Sequence, residues 1–131
     1  MQESIHLKYK DLKLSEEIQS LYMDLLNQDN LNKKVLKTIA IGVQNHNAFT
    51  VSQLAEQIEA PRLVGERDSK TRTLKFNVKE TSIDRKATAK ILDRLSYMGL
   101  IYFTYELPYK RVMITKRGVQ ILKVLSVENK N

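Results

Sequence analysis

Apolar residues recur at helical spacing in five stretches of the chain and alternate with polar ones in two shorter regions between them. Ile18, Leu21, Tyr22, Leu25 and Leu26 make the first stripe. Ser15 stands ahead of it as a cap, and Glu16 and Glu17 fall where the positive end of the helix dipole favours acids. Asn27-Gln28-Asp29-Asn30 breaks that pattern. A second helix is predicted from near Asn32, carrying Val35, Leu36, Ile39, Ala40 and Val43 as core scaffold until Asn45-His46-Asn47 interrupts it. The third start is the sharpest local signal. Thr50-Val51-Ser52-Gln53 has the order of a capping box, Phe49 and Leu54 are placed for a hydrophobic staple, and the helix is expected to reach about Ala60, just ahead of Pro61.

Between Pro61 and Thr81 the period changes from helical to two. Leu74, Phe76 and Val78 alternate with Thr73, Lys75, Asn77 and Lys79, and Arg62-Leu63-Val64-Gly65 is a partner strand across Glu66-Arg67-Asp68-Ser69-Lys70. An inserted β-hairpin is expected here, with a loop as the alternative. The basic residues Arg67, Lys70 and Arg72 near its tip fit either an extra nucleic-acid arm or a solvated turn.

From Asp84 to Met98 the pattern is helical again. Thr88, Ile91, Leu92, Leu95 and Met98 share one stripe, with Arg85, Lys86, Lys90, Asp93, Arg94 and Tyr97 away from it. Gly99 ends this helix without the Cβ penalty of a left-handed cap. Leu100–Tyr105 and Arg111–Thr115 are short β-rich runs around Pro108-Tyr109-Lys110, and a last helix follows with Ile121, Leu122, Val124 and Leu125. One mainly α, α+β domain is predicted over 15–126 with its insert at 61–81, an N-terminal tail over 1–14 and a C-terminal tail over 127–131.

Charge sharpens this picture. Of the formal +7, residues 1–60 hold six Lys or Arg against eight acids, whereas residues 61–117 hold fourteen against six. Positive charge therefore gathers on the segment with the basic helix and the hairpin, as expected of a face that meets a phosphate backbone, although a self-solvating surface has the same composition. There is no cysteine, which removes disulfides, zinc ribbons and thiol chemistry. With neither a membrane-length apolar run nor a signal-like start, a cytoplasmic protein is expected.

Three segments resemble a known superfamily. Phe49-Thr50-Val51-Ser52-Gln53-Leu54-Ala55-Glu56 is similar to the first helix of winged helix-turn-helix regulators. Ala87 to Ile101, with Leu92, Leu95, Gly99, Leu100 and Ile101, resembles their recognition helix and its exit. Val112 to Leu122, with Thr115 as cap and Gly118 three residues on, resembles the second wing strand and following helix of the MarR- and PadR-like branches. The matches fall in the right order over roughly 45–131. One departure is the insert, since such units join their two helices by three or four residues.

The resemblance implies a sequence-specific double-stranded DNA-binding protein, a transcriptional regulator whose helix at about 83–98 reads the major groove. Arg85, Lys86, Ala89 and Lys90 are expected nearest base edges and Arg94 further along. Lys110 and Arg111 would reach phosphate or an adjacent minor groove, Tyr97 and Tyr109 would flank the surface, and the hydroxyls of Thr50, Ser52 or Ser82 would hold phosphate oxygens. A homodimer is expected from the apolar surplus of the first and last helices. The alternative function is a protein-interaction module of a replication, partition or regulatory assembly. No enzyme, cofactor or metal site is expected, because His6 and His46 lack a third ligand and the four glycines make no phosphate loop.

Overall fold

The computed structural model describes residues 2–67, 70, 73–106 and 108–129. Among them run, in order, α1 (Glu3–Tyr9), α2 (Glu16–Leu26), α3 (Asn30–Gln44), α4 (Val51–Gln57), β1 (Glu59–Arg67), β2 (Leu74–Ser82), α5 (Arg85–Tyr97), β3 (Ile101–Glu106), β4 (Tyr109–Ile114) and α6 (Lys116–Asn129). The architecture is mainly α with two antiparallel strand pairs, β1–β2 and β3–β4.

Side-chain caps set most helix starts. Ser15 accepts from the Ile18 amide, Asp29 from Leu31, and Asp84 from Ala87. Thr50 and Gln53 form the full capping box, and the Gly118 amide donates to the Thr115 hydroxyl. Each cap satisfies amides that the helix itself leaves without partners. The stripes then close one core, with Leu36 and Ile39 of α3, Leu54 of α4, Leu92 and Leu95 of α5, Leu100, Ile101, Val112 and Ile121 all fully buried. Gly99, at φ +76°, turns the chain from α5 into β3, and the Thr115 hydroxyl donates to its carbonyl at 2.8 Å.

The β3–β4 hairpin pairs Ile101 with Ile114 through Glu106 with Tyr109. Its partner at the other edge of β4 is the run into α4. Thr50 bridges Arg111, and the Val112 amide donates to the Phe49 carbonyl at 2.9 Å, so the start of α4 is tied to the hairpin. The insert is a β-hairpin, paired from Glu59–Ser82 to Arg67–Leu74, with the Ile83 amide donating to Ile58 at its base. Asp68, Ser69 and Arg72 of the expected tip lie outside the described residues.

Several boundaries differ from those the sequence predicts, α3 starting at Asn30 and β1 running from Glu59 to Arg67 among them. Residues 3–9 of the expected N-terminal tail form α1. Residues 127–129 of the expected C-terminal tail continue α6. The third helix stops at Gln57, with Ile58 extended and Ala60 already in β1. Pro61 disfavours helical backbone in the residue before it, and the ladder to β2 takes these residues instead. Tyr109 and Lys110 belong to β4 rather than to the turn, because the Glu106–Tyr109 pair leaves only residues 107–108 between the strands.

Burial also redistributes the first stripe. Met23 and Leu26 enter the core, whereas Ile18, Leu21 and Leu25 stay exposed. In α1 no residue is buried, and the helix is held by polar and aromatic contacts: the His6 ring stacks on Tyr102 with centroids 3.6 Å apart, and Gln2 bridges Phe103. Desolvation, with Arg117 nearby, lowers the His6 pKa, and its Nδ1 has no hydrogen-bond partner among the described residues. A base that titrates lower in the folded chain than in the unfolded one makes the unfolded chain the better proton acceptor. This contribution to stability is therefore present above pH ~6.5 and lost as the pH falls below it. Hydrogen exchange in α1 is expected to quicken from pH 7 to pH 5 after correction for intrinsic rates, and to do so much less in His6→Phe. A His6 titration midpoint at or above that of a free peptide would contradict this.

Candidate nucleic-acid interface

Three parts of the fold converge on one cleft of about 610 Å³, lined by Thr50, Val51, Ser52, Gln53, Arg85, Pro108, Tyr109, Lys110 and Arg111. The first turn of α4, the first residue of α5 and the tip of the β3–β4 hairpin form its walls. Local sequence explains the convergence. The capping box fixes where α4 starts, the Asp84 cap fixes Arg85 as the first residue of α5, and the Thr50–Arg111 bridge holds the hairpin beside both. Every charged residue lining the cleft is a cation, so its field favours an anion.

The cations are held differently from one another. The Arg85 guanidinium donates to the Ser52 hydroxyl, which fixes it across the gap between α5 and α4. Lys110 sits with Nζ 4.0 Å from the centre of the Phe103 ring and 6.0 Å from that of Tyr105, a cation–π placement that leaves its ammonium protons to a further acceptor. Arg111 is turned inward, donating to the Ala48 carbonyl at 2.6 Å and to Glu106 at 3.0 Å. The first bond joins β4 to the segment before α4 and the second joins it to the end of β3, so its geometry is that of a structural tie rather than of the free phosphate contact expected. The Thr50 hydroxyl accepts the Gln53 amide at 3.3 Å and keeps its own proton to donate.

Six of the eleven expected site residues thus meet here: Thr50, Ser52, Arg85, Tyr109, Lys110 and Arg111. Lys86, Ala89 and Lys90 are exposed on α5 but do not line the cleft. Ser82 is exposed at the end of β2, also outside it. Arg94 lies about two and a half helical turns beyond Arg85, on the other flank of α5. Its Nη1 donates at 2.9 Å to the side chain of Asn32, which is buried at the start of α3 and itself donates to the Leu26 carbonyl. This bond satisfies a buried amide and holds the exposed Arg94 away from the cleft.

Sequence reasoning missed Gln53 as a cleft residue, because its capping role accounted for it. Val51 and Pro108 were equally silent, being residues whose contribution is shape. Among the described residues no three His, Asp or Glu side chains gather as metal ligands, and no helix is long and apolar enough to cross a membrane. Compared with protein-family models, characterised proteins and solved structures, the chain gives no match.

Proposed function

We propose that the chain is a double-stranded DNA-binding protein of the winged helix-turn-helix kind, acting as a transcriptional regulator. The cleft that joins Arg85, Ser52, Thr50 and Lys110 carries this reading, since it sets the first turn of α5 beside two phosphate-binding hydroxyls and a hairpin cation. In that arrangement α5 enters the major groove by its N-terminal turns. Arg85 pairs with a guanine through its planar fork, Ser52 holding it in place beforehand. Lys86, Ala89 and Lys90 follow along the groove, and Lys110 takes a phosphate. The β1–β2 hairpin leaves the body between α4 and α5 and so borders the DNA on that side.

Fluorescence anisotropy with the protein's own promoter duplex and a random duplex, across salt, tests this. The promoter is expected to bind preferentially. Arg85→Ala relaxes that preference by ~1–3 kcal/mol, while Lys110→Ala weakens both duplexes and lowers the salt slope by about one. No binding to either duplex at low salt would overturn the reading, and equal loss on both for Arg85→Ala would remove it as the base reader.

The same proposal includes a homodimer. Ile5, Leu7 and Tyr9 of α1, Leu12 after it, and Ile18, Leu21 and Leu25 of α2 are all exposed, whereas in α6 Ile121 and Leu125 are buried and Val119 is exposed, so most of the apolar surplus lies over residues 5–25. The exposed residues of this stretch carry both signs, Lys8, Lys10 and Lys13 ahead of Glu16, Glu17 and Asp24 in the chain, which suits pairing with a second copy. Sedimentation is expected to show a dimer at low micromolar concentration and a folded monomer for Leu21→Glu. A wild-type chain that sediments only as monomer would sink the pairing.

A further inference from the structure

Lys110 also lines a second cleft, of about 510 Å³, whose other walls include Asp93, Ser96 and Tyr97 of α5 and Phe103 and Tyr105 of β3. Strand alternation puts Ile101, Phe103 and Tyr105 on one face of β3. The first two are buried in the core and Tyr105 continues that face into solvent at 64% exposure. Tyr97, four residues after Asp93 on α5, is 93% exposed. Two tyrosines thus hold most of their ring surface in water beside a lysine ammonium 4.0 Å from the Phe103 ring centre. A carboxylate and a hydroxyl from α5, with Gln2 and Ile5 on the other side, complete the cleft.

That combination selects its ligand. Aromatic faces take a planar ring, Lys110 takes an anion, and Asp93 takes N–H donors while repelling a phosphate from its own side. A molecule with a flat ring, a donor edge and an anionic group is a nucleotide. In a duplex the ring is stacked and its edge paired, so only an unpaired nucleotide offers both. We propose that this cleft binds an unpaired nucleotide of a single strand, with its base against Tyr97 and Tyr105, its phosphate at Lys110 and its N–H edge at Asp93. Guanine is favoured, because its N1–H and N2–H lie side by side and engage both oxygens of one carboxylate. The site goes beyond the duplex-reading cleft, with which it shares only Lys110, and touches the apolar surface of α1 at Ile5.

The test uses the full chain and labelled five-nucleotide thymidine strands with and without a central guanosine, followed by anisotropy at low salt beside the promoter duplex. Wild type is expected to bind the guanosine strand more tightly than the all-thymidine strand. Tyr97→Ala weakens strand binding by about tenfold, while Tyr97→Phe, which keeps the ring, retains it. Tyr105→Ala acts in the same direction, and Asp93→Asn removes the preference for guanosine. Tyr97→Ala, at a residue outside the first cleft, keeps wild-type affinity for the duplex, whereas Arg85→Ala keeps the strand affinity, so failure of one cleft is distinguishable from failure of the other. Absence of strand binding by wild type, or strand binding unchanged in Tyr97→Ala and Tyr105→Ala, would overturn the proposal.

Discussion

Arg117→Ala is expected to lower stability by about 3 kcal/mol and to release α1 from the body of the protein. Arg117 is only 5% exposed, in the first turn of α6. Its Nε donates to the Gly99 carbonyl at 3.0 Å, and its Nη1 donates to the carbonyls of Tyr9 at 2.8 Å and Leu12 at 3.1 Å. One guanidinium therefore holds together the end of α1, the turn after α5 and the start of α6. Charge-assisted bonds of this kind contribute ~1.5–3 kcal/mol each, and the Leu12 carbonyl would lose the partner that draws it in. Gly99 and Tyr9 retain second donors, Thr115 and the Leu12 amide, which limits the total. At about 4 °C per kcal/mol for a chain of this size, the melting temperature falls by about 12 °C.

The location of the loss separates this account from general destabilisation. With Arg117 gone, one of the influences that lowers the His6 pKa disappears, so the His6 midpoint rises toward its free value. Amide protection in α1 is lost well before that of α5. Arg117→Lys restores charge but not the fork that spans three carbonyls, and recovers only part of the stability. A variant with wild-type melting and protected α1 amides would show that the three bonds contribute nothing net.

Arg117 also shows why the N-terminal segment was not legible from sequence. Residues 3–9 are too few for a helix to persist alone, Gln2 supplies no side-chain cap, and no residue of α1 is buried. The information that makes them helical lies far along the chain, in Arg117 and in the ring of Tyr102. By contrast α4, α5 and α6 were legible because their caps and stripes are local. The β1–β2 hairpin was legible because a period of two survives in Leu74, Phe76 and Val78. The exposure of Ile18, Leu21 and Leu25 was legible only as an apolar surplus, since an apolar stripe fixes a helix face but says nothing about which of its residues the core covers.

The site divides in the same way. Arg85 and Ser52 could be named because each sits at the start of a capped helix, where position follows from sequence. Arg94 and Arg111 look identical to Arg85 in a list of basic residues, yet they are committed to the Asn32 side chain and the Ala48 carbonyl. Charge marks a segment, and only packing decides which partner each cation takes. The pairing of Tyr97 with Tyr105 is likewise tertiary, made by the left-handed turn at Gly99 that folds β3 back beside α5.

Gly118→Ala is expected to be as damaging as loss of Arg117, by about 3 kcal/mol, against the sign of helix propensity. Gly118 lies in the first turn of α6 with no need of a left-handed backbone, so on propensity alone alanine would gain ~1 kcal/mol. Space decides otherwise. A Cβ there would press into the Leu100 carbonyl oxygen and lie 2.6 Å from Ile114 Cγ1. The carbonyl cannot swing aside, because it accepts the Thr115 amide at 3.0 Å and belongs to the corner between α5 and β3. Relief requires α6 to move outward, which stretches the Thr115 and Arg117 bonds to Gly99 and opens the core at Ile121. Gly42→Ala is the matched control. Its Cβ would meet the edge of the Phe49 ring at 2.8 Å and the Asn47 carbonyl at 3.0 Å, and a half-buried ring can turn away where a buried corner cannot. Urea unfolding of the two variants should therefore place Gly118→Ala well below Gly42→Ala. A Gly118→Ala chain as stable as wild type would mean that α6 shifts at little cost, and with it the close seating of this helix on the Leu100 corner.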